Sequence, residues 1–229
     1  MLGTLPVAIQ QKCFNPKHPG LSELDPTKLK TILRENGCNG CDLCKLCKWP
    51  VVYRGHAAAN KMIIGEAPGK DEDVKGKPFT GPAGIKLDQI FAGVGWDTNK
   101  DWYLTNVVKC RPRSDDGIRQ NFTPSADHRA ACRPYILQEI SYLKPHTIVL
   151  LGKSAVSSVL PKLSGEAMGN IAGKLYHDEV WPSITFFVMY HPAALLHLEN
   201  HSPEGHQQLR QLMWKHINTL REFVLDLEQ

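Results

Sequence analysis

The chain of 229 residues lacks any run of about 18 consecutive apolar residues, the least that a membrane-crossing helix needs. Its opening, MLGTLPVAIQQKCFNPKHPG, lacks a basic segment followed by a long apolar one, the pattern of an export signal. These absences lead to the expectation of a cytoplasmic protein with no membrane partner. An excess of one charge is missing too: 27 Lys and Arg against 23 Asp and Glu leave a formal +4. That balance permits nucleic-acid binding without requiring it. There is no internal repeat, no low-complexity tract, no Gly-x-x-x-x-Gly-Lys-Ser/Thr loop, and no Gly-x-Gly-x-x-Gly after a strand. Nothing therefore points to a Walker-type nucleotide hydrolase or a dinucleotide enzyme. With 42% hydrophobic residues, disorder is excluded and a sizeable core can form.

Cysteine, by contrast, is plentiful. Cys13, Cys38, Cys41, Cys44, Cys47, Cys110 and Cys132 make seven, four of them within ten residues. An odd, clustered set without an export signal points away from disulfides and toward a metal or cluster. The run from Cys38 to Cys47 contains three overlapping Cys-x-x-Cys pairs. It resembles a ferredoxin-type ligand string and equally suits zinc.

Residues 1–37 read as an amino-terminal appendage, broken by Pro16, Pro19 and Gly20 before a helix from Pro26 to Glu35, with Asp25 as its cap and Gly37 as its stop. Residues 38–229 read as the main domain. Lys61 to Gly65, Trp102 to Val108, His146 to Leu151 and Ile184 to Met189 are strand candidates. Helices are expected around Leu87 to Val94, from Pro124 to Leu143, after Gly152 to Leu160, and over Leu209 to Val224. Apolar strands separated by helices predict an α/β fold, a three-layer α/β/α arrangement around a central, mainly parallel sheet. Its site should lie past the carboxyl ends of the strands. Three such ends carry Glu66, Asn106 and His191.

The segment from Gly65 to Gly84 is rich in glycine and proline, as a loop pressed against a ligand would be. Gly65-Glu-Ala-Pro-Gly69 with Glu72-Asp73, then Gly76-x-Pro-Phe-x-Gly81 and Ala83-Gly84-x-x-Leu87-Asp88, resembles the first active-site motif of the family 4 uracil-DNA glycosylases. The resemblance continues through Thr105-Asn-Val-Val-Lys-Cys-Arg-Pro112 and Tyr190-His-Pro-Ala-Ala-Leu-Leu196, covering roughly residues 41 to 225 in the family's order.

The resemblance implies the superfamily fold and a repair enzyme that hydrolyses uracil from DNA, with uracil-containing DNA as substrate, free uracil as product and a monomeric chain. By similarity the uracil-binding residues are Glu66, Ala67, Phe79, Asn106 and His191. Phe79 is the ring on which the base stacks and Asn106 the amide that reads its edge, since an amide offers donor and acceptor together. His191 and Glu66 are the catalytic pair: His191 stabilises the departing uracil anion, and Glu66 directs water and favours the cationic sugar. Glu72 is a possible support. Lys109 and Arg111 are candidate phosphate contacts, and Leu195 a candidate wedge for the gap left by the flipped base. The family also carries a 4Fe-4S cluster, for which Cys41, Cys44, Cys110 and Cys132 are the implied ligands. Two other readings remain at this point: a glycosylase of altered base range or one that stays attached to the abasic sugar, and a non-enzymatic iron-sulfur module that binds nucleic acid.

Overall fold

A computed structural model describes residues 25–36, 38, 40–114, 116 and 120–229. Cys13 and most of the expected appendage lie outside the described residues. The remainder of the appendage is helix α1 (Pro26–Asn36), whose Leu29 and Leu33 are buried against Val52 and Tyr135 of the main body. Then come α2 (Leu43–Leu46), β1 (Tyr53–Gly55), β2 (Lys61–Gly65), α3 (Lys70–Lys75), α4 (Pro82–Ala92), α5 (Thr98–Asp101) and β3 (Tyr103–Asn106). The second half runs α6 (Ala126–Leu143), β4 (Thr147–Leu151), α7 (Gly152–Val159), α8 (Met168–Ile171), β5 (Leu175–Asp178), β6 (Trp181–Met189), α9 (Ala193–His201) and α10 (Pro203–Leu227).

The six strands form one sheet in the order β1-β3-β2-β4-β6-β5. The four central strands are parallel and both edge strands pair antiparallel. β2 and β4 are buried at all five positions, as expected for strands covered on both faces. Successive residues serve opposite layers. Met62, Ile64, Ile148 and Leu150 pack on one side with Ile136 and Ile140 of α6 and Val156 of α7. Ile63, Val149 and Leu151 pack on the other with Leu87 and Phe91 of α4 and Ile217, Leu220 and Val224 of α10. The expected three-layer arrangement is present, including the closing helix. Leu212, however, which lies within the helix expected over Leu209 to Val224, is 38% exposed.

α6 starts at Ala126, two residues after the expected Pro124, because the Ser125 hydroxyl accepts the His128 amide as a cap. β3 ends at Asn106, short of Val108: beyond it the Val107 and Val108 amides donate to the carbonyls of Gly65 and Glu66 as the chain turns. No helix among the described residues is long and apolar enough to cross a membrane.

Candidate active site

Parallel register sets the site. Gly65 pairs with Asn106, and Leu151 with Met189, so the turns after β2, β3, β4 and β6 open onto one edge of the sheet. Between them lies a cleft of about 490 Å³ whose lining includes Glu66, Ala67, Phe79, Asn106, Gly152 and His191. Every residue implied as base-binding thus borders a single concavity at the carboxyl ends of the strands.

Phe79 is held there against its own backbone preference. Its φ is +55°, in the left-handed region that costs a non-glycine residue about 1–3 kcal/mol. Glu72 offsets that cost. One carboxylate oxygen, Oε1, accepts the amides of Thr80 at 2.9 Å and Gly81 at 2.7 Å, while Oε2 accepts the Gly69 amide at 3.0 Å. Hydrogen bonds to a charged group contribute about 1.5–3 kcal/mol each, so three of them outweigh the strain. Glu72 is therefore a clamp joining the two ends of the Phe79 loop. Two glycines let the ring close in. A Cβ on Gly84 would stand 1.9 Å from the Phe79 carbonyl oxygen, and one on Gly65 would stand 2.5 Å from Asn106 Oδ1 and 2.6 Å from Phe79 Cζ.

His191 lies opposite Phe79, ring centroids 6.3 Å apart and planes inclined by 27°. Its Nδ1 accepts the Ala193 amide at 3.2 Å, which puts the proton of the neutral ring on Nε2. Burial pushes this imidazole down to about 4. At neutral pH it is an uncharged donor. Glu66, after β2, receives a hydrogen bond from Ser154 Oγ to its Oε2 at 2.5 Å. Sequence reasoning missed Ser154; the only signal was Gly152-Lys-Ser following an apolar strand.

Three expected DNA contacts are corrected by their placement. Lys109 is 2% exposed, and its ammonium is spent on Glu139 Oε2 at 2.5 Å, Thr105 Oγ1 at 2.6 Å and the Asn106 carbonyl at 2.9 Å. It faces inward and cannot meet a phosphate. Arg111 is buried as well: Nε donates to Asn121 Oδ1 at 2.8 Å and Nη2 to Gln120 Oε1 at 2.6 Å, bracing the loop that brings Asn121 to the cleft. Leu195 is packed in the core beside Met213 and Ile217, while its neighbour Leu196 borders the cleft. Lys70, which sequence reasoning passed over, is exposed on the rim.

The cysteines converge from three segments. Cys38, Cys110 and Cys132 are buried, and Cys41, Cys44 and Cys47 partly so. Among the described residues no three metal-ligating side chains stand in ready coordination geometry. The grouping is nevertheless specific. Burial holds the Cys132 thiol up at about 12, with Cys38 and Cys41 adding to the effect. Contact with Cys47, whose Sγ lies 3.2 Å away, and then burial push Cys110 far up, and Cys132 and Cys38 reinforce this. Burial also raises Cys44, on which Cys38 and Cys47 act. Cys38 acts on both Cys110 and Cys132, Cys41 on Cys132, and Cys47 touches Cys110, so the expected pair of Cys41 and Cys44 lies within a wider group of six thiols. Mutually repelling buried thiols become favourable ligands once a positively charged metal compensates them.

Comparison with known proteins places this geometry in context. Residues 52–218 match the family model described as the Uracil DNA glycosylase superfamily. A Type-4 uracil-DNA glycosylase of Saccharolobus solfataricus is 38% identical over 146 residues, which cover 62% of this chain and 65% of that protein, just under two thirds of its length. The Type-4 uracil-DNA glycosylase of Pyrobaculum aerophilum is 35% identical over 176 residues, covering 76% and 85% respectively. That of Archaeoglobus fulgidus is 36% identical over 146 residues, covering 62% and 70%.

Proposed function

The chain belongs to the uracil-DNA glycosylase superfamily, and from that premise we propose that it removes uracil from DNA by hydrolysing the bond from base to sugar, releasing free uracil and leaving an abasic site. One observation carries the reading: a carboxylate, an aromatic ring, an amide and a neutral imidazole from three separate segments border the same cleft. A base swung out of the helix stacks on Phe79 and meets the Asn106 amide along its polar edge. As the bond breaks, negative charge develops on the uracil oxygen and positive charge on the sugar. The His191 Nε2–H, the one donor of the neutral ring, donates to the first. Glu66, steadied by Ser154, orients the attacking water and stabilises the second. Lys70 on the rim takes the phosphate-contacting role first given to Lys109 and Arg111.

A 4Fe-4S cluster fits the chemistry of the converging thiols, and its ligands in this reading are Cys38, Cys41, Cys110 and Cys132. When bound, it would tie the segment after α1 to the turn after β3 and to α6, a structural service; uracil excision needs no electron transfer. Incubation with an end-labelled oligonucleotide carrying one uracil, followed by alkali, should break the strand at that position and nowhere else. An intact strand would refute the glycosylase reading, and breakage at other deaminated bases instead would mark an altered base range.

A further inference from the structure

Below the cleft, between β3 and α6, lies an ion pair shut away from water: the side chains of Lys109 and Glu139 are 2% and 0% exposed. Glu139 also accepts the Tyr103 hydroxyl at 2.6 Å. Thr105 Oγ1 receives Lys109 and donates to the Val52 carbonyl at 2.6 Å. An ammonium has three donors, and the third goes to the carbonyl of Asn106 at 2.9 Å. Burying two charges gains little over packing two apolar side chains in the same space, so stability is a weak explanation for the pair. What it touches is more informative. Asn106 is the last residue of β3, and past it the chain leaves the sheet.

We infer that the buried Lys109–Glu139 pair is a positioning device for Asn106, fixing the peptide from which its amide reaches the base and so sharpening the choice of uracil over cytosine. This rests on the glycosylase reading. Uracil presents N–H and carbonyl where cytosine presents ring nitrogen and amino group, the reverse order of donor and acceptor. An amide on a tilting peptide can swing or turn over and match the wrong base; one anchored by an ammonium held by Glu139 and Thr105 cannot do so freely. Neither Lys109 nor Glu139 lines the cleft, and both act through Asn106.

The test uses the full chain with its cluster. The double variant Lys109→Met/Glu139→Met removes both charges, so no unpaired charge is left buried. It should melt as the wild type does, keep its iron and bind abasic DNA equally well. Its single-turnover rate on uracil should fall by about 10- to 100-fold, and the ratio of uracil to cytosine cleavage should fall with it. Glu139→Gln, which keeps an acceptor for the ammonium, should recover part of both. Wild-type rate and selectivity in a folded double variant would overturn the inference, as would a rate loss matched by an equal loss of DNA affinity. If neither variant folds, the pair is a stability element and the inference falls. A wild-type protein inactive on uracil would sink the glycosylase reading first; activity in the wild type with no change in the variants sinks only this one.

Discussion

The Ser154 hydroxyl donates to Glu66 Oε2 at 2.5 Å, joining the first turn of α7 to the residue that follows β2. Two adjacent parallel strands thereby fix one carboxylate, because β2 and β4 end side by side. In the proposed mechanism the other oxygen is the one that meets water and sugar. Ser158 Oγ in turn donates to the Ser154 carbonyl at 2.8 Å, so the serine itself is anchored within the helix.

Removing that hydroxyl should loosen the carboxylate without unfolding the chain. Ser154→Ala is expected to lower the single-turnover rate on uracil by about tenfold, the weight of one hydrogen bond to a charged group. Ser154→Thr, which keeps the hydroxyl, should recover most of it. Equal rates for wild type and the alanine variant, measured at saturating enzyme, would show that Glu66 is oriented by something else.

Acidity should separate the stability role of His191 from its proposed catalytic one. Burial holds the ring at about 4, below its ordinary 6.5. Between these values the unfolded chain binds a proton at this position and the folded chain does not. Stability contributed by the neutral ring is therefore complete above pH 6.5 and lost as pH falls toward 4. His146 and His216 are lowered by burial as well and act with the same sign. Melting temperature should drop across this window, and His191→Gln should flatten part of the slope. In activity the neutral donor persists to about pH 4, so no limb near pH 6.5 should arise from His191.

Glu72 is expected to show itself through the backbone. In Glu72→Ala the amides of Thr80 and Gly81 lose their acceptor, and their hydrogen exchange should speed up more than that of β2 or β4. Uracil excision should fall with it, since the Phe79 backbone is strained and needs the clamp. Unchanged exchange at both amides would mean that the loop holds itself.

The cysteine grouping makes a ranked prediction about iron. Cys38→Ser and Cys110→Ser should lose iron and lower the melting temperature, whereas Cys44→Ser should keep a full complement by metal analysis. Retention of iron in Cys38→Ser together with its loss in Cys44→Ser would restore the pair Cys41 and Cys44.

Much of the frame was legible in the residues themselves. β2, β4 and β6 contain unbroken apolar runs because both faces are covered, and α10 shows its buried stripe through helical spacing. The residues bordering the cleft were readable because glycines and prolines crowd around Glu66 and Phe79. The edge strands β1 and β5 were not: they are three and four residues long, and the partly exposed β5 carries no sustained apolar run.

What the sequence determined by itself was the kind of chemistry and the layers that present it, since side-chain type and periodicity are local properties. Only the tertiary structure decided where single side chains point. Lys109 sits in a basic stretch and reads as a surface cation until Glu139, thirty positions away along the chain, draws it inward. Leu195 and Leu196 differ by one residue, which on a helix is a turn of about 100°, and packing against α10 chose which of them faces the cleft. Cys-x-x-Cys spacing allows three pairs, and only the fold brings Cys110 and Cys132 up to that run. Each of these outcomes depends on a partner distant in sequence, and pair distances across the fold are not encoded in any window of neighbouring residues.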